Sequence, residues 1–378
     1  MMHVKMITIN IKHIKGIIVG WLLNKVNNWI INYKQKVIRN DEKALLNKYS
    51  DKKLSISEHE EIVKIWGKLG LKINTSFFDL YKSKGVYNPL FMPNDIYFSI
   101  VLDSLNPPLY RRTYEDKGLY PVLFDKIHQP KILGRCINGT LFDENNNVTS
   151  YTNFLKPRIN QEVIIKPNSQ KCGKGIRLAN LENIDVNQLK KEYNNNFIIQ
   201  EYVKQSSYTS KFNPTSFNNF RVTSLFINSK LSICAVELKC GGKGSIVDNM
   251  HAGGLTICCS EDGHLDTVGY NIMLEEVYEY NNGYKIVGEY IPGVTKIVNM
   301  VKKYHPYYFP NIGLIGWDIG LDENDEPILV EVNITYPGII STQVCTRRPI
   351  FGERTEEVIE YVRTHRSKQT LPENPWII

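Results

Sequence analysis

GWDIGLDENDEPILVEVN, residues 316–333, is the stretch that decides the fold. Apolar and polar positions alternate on either side of the polar segment 322–326, so it reads as two strands of a β-hairpin around a turn. Side chains two apart on a strand share a face, which puts Glu331 and Asn333 together, and Asp318 on the partner strand pairs across from them. Three oxygen donors thus gather at one spot. Mg2+ takes a few carboxylate or amide oxygens and fills its octahedron with phosphate oxygens and water, so the set suits that ion. A solvated hairpin face is the plainer reading. Against it, Asp318 beside Trp317 and Glu331 between Val330 and Val332 occupy apolar surroundings, where an unpaired carboxylate is costly.

Working upstream, VIIKPNSQKCGKGI (163–176) reads as a strand that delivers Lys166 to its end. Gly173 and Gly175 then let the backbone turn tightly and expose N–H groups, with Ser169 in the same loop, to cover phosphate oxygens. GxxxxGK[ST] is absent, and the segment runs strand to loop to strand, unlike a Walker A loop. FIIQEYVK (197–204) is an apolar strand ending in Gln200 and Glu201. With Tyr202 and Val203 it could hinge two lobes and offer backbone groups to a purine ring, or be a core strand with exposed ends. Arg221 in NNFRVTSLF and Lys239 in VELKCGGKG border further β-like runs, arginine suiting bidentate phosphate contact and lysine a point charge. VDNMHAGG (247–254) adds Asn249, His251 and a Gly253-Gly254 pair; His251 reads as either a general base or a structural histidine.

The rest of the chain supplies the frame. Strands are expected at 163–166, 197–203, 221–227, 231–238, 313–321 and 328–333, and a last helix at 353–366. SISEHEEIVKIWGKLG (55–70) opens with a capping-box pattern, Ser55 to Glu58 or Ser57 to Glu60, and would close at Gly67 or Gly70. At 378 residues with 42% apolar and 22% charged side chains the chain can bury a large core. The net charge of +7 is concentrated in residues 1–40, which hold seven basic side chains and no acidic one; removing these from 46 leaves 39 basic against 39 acidic. A basic nucleic-acid footprint on the main body is therefore unsupported, and no nucleic-acid partner is expected. Ile14, Ile17, Ile18, Trp21, Leu22, Trp29 and Ile30 recur at near-helical spacing between those lysines. Such an amphipathic helix could lie on an anionic membrane surface or pack on the main body or a second subunit. The apolar run 16–23 is too short to span a bilayer and has no small-residue cleavage site after it. Seven cysteines without CxxC or zinc-finger spacing indicate reduced thiols in a cytoplasmic protein.

In order, these pieces resemble the ATP-grasp superfamily, and more narrowly the sugar-transfer associated ATP-grasp proteins of capsule and surface-polysaccharide systems, related to teichuronopeptide biosynthesis. The resemblance is carried by KGLYPVLF with Lys117, QPKILGRCING with Lys131, IIKP, the glycine loop, QEYV, NNFRVTS, VDNMHAGG, WDIG and EVNITYPG. It implies an α+β fold in which two subdomains clasp ATP, behind a helical N-terminal region. The divisions are a basic helix at 1–50, helices at 51–125, a small subdomain at 126–203, a large one at 204–352, and a C-terminal helix and tail at 353–378. It implies that Lys117, or Lys131 in its place, and Lys166 contact the nucleotide. It further implies that Glu201 to Val203 meet adenine, that Arg221 meets the terminal phosphate, and that Asp318, Glu331 and Asn333 hold Mg2+. Lys239 stands where relatives are expected to carry arginine. The implied activity is a carboxylate–amine ligase working through an acyl phosphate, with a sugar carboxylate and an amine as partners. A sugar or polyol kinase on the same scaffold, or a nucleotide-binding accessory of a glycosyltransferase docked through residues 1–40, are the other readings; peripheral membrane contact at the inner face belongs with either.

Overall fold

In a computed structural model of the chain, residues 25–366 are described apart from 151–152, 154–159, 171–172, 246–249, 251–252 and 281. Asn249, His251 and the apolar stripe at 14–22 lie outside the described residues. The described residues form two compact units, one of those up to Ser104 with those from Arg354 on, the other Leu105–Glu353.

The first unit is helical. Helix 25–41 turns Ile30, Ile31 and Ile38 inward. Lys34 bonds Asp103 at 2.8 Å, and Arg39 pairs with the buried Asp95. Helix Ile56–Trp66 starts on a capping box: Ser55 Oγ accepts from Glu58 N at 3.2 Å while Glu58 accepts from Ser55 N at 2.6 Å. Gly70, at φ 71°, closes the 3-10 turn that follows. The C-terminal helix spans Thr355–His365. Among the described residues no helix is long and apolar enough to cross a membrane.

The second unit carries two antiparallel sheets, which gives the α+β class. β1 (Ile132–Ile137), β2 (Thr140–Asp143), β3 (Glu162–Pro167), β4 (Arg177–Asn180) and β5 (Phe197–Glu201) lie in the order β2-β1-β5-β3-β4. Alternation sends Val163, Ile165, Phe197 and Ile199 onto Val186 and Leu189 of helix Val186–Glu192. The opposite face carries Arg135, Ile198 and Lys166, which stand in register across β1, β5 and β3.

The larger sheet contains β6 (Asn219–Ile227), β7 (Lys230–Cys240), β8 (Leu255–Cys259), β9 (Leu265–Tyr270), β10 (Glu276–Val277), β11 (Leu314–Leu321) and β12 (Pro327–Asn333), ordered β10-β9-β8-β7-β6-β11-β12. Val222, Val236, Ile257, Trp317 and Leu329 bury one face against Ile297, Val298 and Val301 of helix Val294–Tyr308. The expected hairpin is β11–β12, its turn held by Asp322 Oδ1, which accepts from Asn324 N and Glu326 N at 2.9 and 3.0 Å. β5 ends two residues earlier than expected, because the chain leaves the small sheet for this hairpin: Gln205 bridges to Asp322, and Ser206 N donates to Leu321 O at 2.9 Å.

Gly293 joins hairpin and helix. Its φ is 91°, and an added Cβ would lie 2.8 Å from Leu321 Cδ2 and 2.9 Å from Asp325 O. Gly293→Ala is therefore expected to lower stability by about 1–3 kcal/mol, read as a fall in the thermal unfolding midpoint; an unchanged midpoint would show the junction to be slack.

Candidate functional site

Register places a row of polar side chains on the face of the large sheet opposite helix Val294–Tyr308. Glu331 pairs with Asp318, Asp318 with Arg221, Arg221 with Glu237, and Glu237 with Cys258. One pair step along the strands, Asn219 lies opposite Lys239, and Lys239 opposite Thr256. The sign of charge therefore changes along the row from carboxylates to guanidinium and back to a carboxylate.

Arg221 grips Asp318 with two bonds, Nε to Oδ1 at 2.6 Å and Nη2 to Oδ2 at 2.8 Å. The Asn333 amide donates to Oδ2 at 2.9 Å. Burial works to raise the Asp318 carboxyl, but Arg221, Lys239 and these hydrogen bonds hold it below its ordinary range. The missing side chain at Gly316 makes this possible, since a Cβ there would lie 3.1 Å from Arg221 Cδ. Next in the row, Glu237 is 2% exposed and accepts from Thr342 at 2.7 Å and from Thr256 at 3.3 Å. Burial pushes its carboxyl up, with Thr342, Lys239 and Arg221 pulling the other way.

Two lysines approach Glu331. Lys117 sits in the 3-10 turn Lys117–Leu119, which Asp116 caps by accepting from Gly118 N at 2.8 Å. The Lys117 ammonium lies 3.2 Å from Glu331 Oε1 and donates to Gln170 O at 3.2 Å. Lys166, the penultimate residue of β3, is 5% exposed. Burial, then the neighbouring Lys117 charge, pulls its pKa down to about 7, and Glu331 offsets only part of this. Asn168 ties the pieces together. Its backbone O accepts from Lys117 N at 2.9 Å, and a Cβ on Gly118 would lie 2.6 Å from its Nδ2. Its Oδ1 is buried with no hydrogen-bond partner among the described residues. The end of β12 is equally fixed: Val332 N donates to the Tyr120 hydroxyl at 3.1 Å, and Glu115 accepts from Ile334 N and Thr335 N at 2.7 and 2.6 Å.

Lys117, Lys166, Glu331, Asp318, Asn333, Arg221 and Lys239 thus come together. Lys131 goes elsewhere, 2.7 Å from Glu144. Gln200 is buried on β5, the Glu201 carboxylate accepts from Lys131 N at 2.8 Å, and the exposed Tyr202 and half-buried Val203 follow it. In the loop Ser169 is exposed, and Gly173 and Gly175 adopt φ of 68° and 76°. Gly175 is wedged 3.3 Å from Pro167 and from the Tyr193 ring, measured from an added Cβ. Asn168, Glu237 and Thr342 were not singled out from the sequence. Glu237 had a signal, since it is two residues from Lys239 and so on its face; Thr342, 105 residues away, had none.

The donors fit a hard divalent cation. Among the described residues no three His, Cys, Asp or Glu side chains could hold a metal by themselves. Two carboxylates and an amide match an ion that draws its other ligands from phosphate and water. Arg221 and Asn333 already occupy three of the roughly four acceptor positions of the Asp318 carboxylate, which leaves Glu331 the more available donor.

This arrangement of two sheets is the ATP-grasp fold. The chain belongs to the sugar-transfer associated ATP-grasp family, whose model matches residues 102–358. Among solved structures it is similar to an L-amino acid ligase from Bacillus licheniformis, at 11% identity and a TM-score of 0.34, over 62% of this chain and 42% of that one. D-Alanine-D-alanine ligase from Helicobacter pylori matches at 12% identity and 0.37, over 68% and 60%. A biotin carboxylase–β,γ-ATP complex from Campylobacter jejuni matches at 12% identity and 0.41, over 68% and 48%. The match thus spans 42% to 60% of those three chains. No curated protein matches the chain.

Arg221→Ala would leave Asp318 buried without its main partner. A loss of about 3–5 kcal/mol is expected in denaturant unfolding, largely restored in Arg221→Met/Asp318→Leu; a loss below about 1 kcal/mol would mean that the pair is solvated.

Proposed function

We propose that the protein is an ATP-dependent carboxylate–amine ligase working through an acyl phosphate, and that it joins an amine or amino acid to a uronic acid of a surface polysaccharide or its precursor. The observation that carries this reading is the meeting of Lys117 and Lys166 at Glu331, beside Arg221, Asp318 and Asn333, in a member of the sugar-transfer associated family.

In this reading Lys117 and Lys166 bind phosphate oxygens of ATP, and Arg221 and Lys239 face the terminal phosphate. A substrate carboxylate oxygen attacks the γ-phosphorus as the bond to ADP breaks, and the four cations neutralise the charge that moves onto the leaving oxygen. The amine nitrogen then attacks the acyl carbon, phosphate departs, and the nitrogen gives up one proton to solvent as the amide forms. Mg2+, when bound, would supply Lewis-acid neutralisation of phosphate charge, with Glu331, Asn333 and the remaining acceptor position of Asp318 as its holders. Gly173 and Gly175 shape the loop that covers the phosphates, and exclusion of water there protects the acyl phosphate from hydrolysis. Glu201, Tyr202 and Val203 line the adenine side.

ADP and free phosphate are expected only when a uronic acid and an amine are both supplied, and Lys166→Met and Glu331→Ala should abolish this turnover. A phosphorylated sugar without free phosphate would identify a kinase instead, and nucleotide binding without turnover on any acceptor an accessory protein.

Proton linkage gives a second test. The free Lys166 has a pKa of about 7, and a polyphosphate binds its charged form. Above that pH nucleotide binding must therefore take up a proton, and affinity should fall by up to about tenfold per pH unit. Calorimetry at pH 8 in buffers of different ionisation enthalpy should show proton uptake that Lys166→Met removes. Absence of uptake in the unmutated protein would place the phosphates away from Lys166.

A further inference from the structure

Among the described residues, helix 25–41 has a second face that is largely exposed. Ile30, Ile31 and Ile38 point inward, and Lys34 and Arg39 are held by Asp103 and Asp95. On the other side Val26, Trp29 and Tyr33 are 54%, 59% and 47% exposed. The Trp29 and Tyr33 rings stack on one another, centroids 5.8 Å apart and planes 15° from parallel. The exposed Lys25 and Lys36 belong to the same side, and at helical spacing all five residues fall within an arc of about 100°. Two stacked aromatic rings with flanking lysines are poorly matched to bulk water. They are well matched to the boundary of a bilayer, where amphipathic rings settle at headgroup depth and lysine stems reach out to phosphates.

We infer that the Val26–Trp29–Tyr33 face, flanked by Lys25 and Lys36, docks the protein on an anionic lipid surface. Charge complementarity selects this occupant. Residues 1–40 contain seven basic side chains and no acidic one, whereas the remaining 39 basic and 39 acidic residues balance. Lys34 and Arg39 are neutralised by Asp103 and Asp95, and the other five basic side chains still leave an excess of positive charge in the segment that carries the exposed rings; each lysine near an anionic surface raises partition by about fivefold. A second copy fits less well, because two such faces in isologous contact would bring Lys25 and Lys36 of both copies together. The inference does not rest on the nucleotide reading, and ligase turnover in solution can fail or succeed without affecting it.

The test is sedimentation of the full chain with vesicles of phosphatidylcholine alone and of phosphatidylcholine mixed with phosphatidylglycerol. Binding is expected to the anionic vesicles, weakening as salt rises. Trp29→Ser/Tyr33→Ser should reduce it by at least about tenfold. Lys25→Gln/Lys36→Gln should reduce it by about fivefold per lysine on anionic vesicles only. These outward residues are chosen so that thermal unfolding stays unchanged, which checks that both variants fold. Equal partition of the original protein and Trp29→Ser/Tyr33→Ser, or no binding to anionic vesicles, would overturn the proposal. So would a dimer in light scattering that Trp29→Ser/Tyr33→Ser converts to monomer, since the face would then be covered by a second copy.

Discussion

Two lysines from the small-sheet side share one carboxylate of the large sheet, and that imbalance of charge is the constraint on which the site depends. Lys117 and Lys166 are each about 5% exposed or less, while Glu331 can neutralise only one of them. Burial weakens solvent screening, so the surplus positive charge acts on whatever enters far more strongly than it would on the surface. Burial first, and the neighbouring Lys117 charge second, lower the pKa of Lys166. A polyanion relieves the surplus, and so the site is organised before its ligand arrives.

The large sheet makes that organisation rigid. Arg221, Asp318 and Glu331 keep their spacing because backbone ladders on β6, β11 and β12 set it. Beyond them Glu237, closed in by Thr256 and Thr342, faces Arg221 from the other side. Arg221 is therefore bracketed by two acidic residues, one bonded to it in bidentate fashion. A guanidinium so fixed loses little further freedom when it meets a ligand. Gly316, whose bare Cα lets Arg221 lie across β11, is as much a part of the site as the charged groups.

Much of this was legible in the sequence, and the physical reason is the period of two along a strand. Asp318, Glu331 and Asn333 could be set on one face because the turn between them is short and its polar residues mark it. Lys166 was legible as the end of an apolar run. By contrast, the pairing of Arg221 with Asp318 joins residues 97 apart, and nothing local announces that β6 and β11 are neighbours. Lys117 and Lys131 both precede apolar stretches, and the Leu123-Phe124 run after Lys117 favours it without deciding the matter. The fold separates them by sending Lys131 to Glu144 and Lys117 to Glu331. Asn168 looked like any loop asparagine, and only the packing of Gly118 against it gives it weight. The short strands β2, β4 and β10 carry too few residues for alternation to register.

A crystal structure with a non-hydrolysable ATP analogue and Mg2+ tests the central claim most directly. Expected are phosphate oxygens within hydrogen-bond distance of the Lys117 and Lys166 ammonium groups, with Glu331 turned from Lys117 to the cation. A nucleotide seated elsewhere, or phosphates in the cleft with the Lys117–Glu331 pair intact and Lys166 without contact to them, would contradict it.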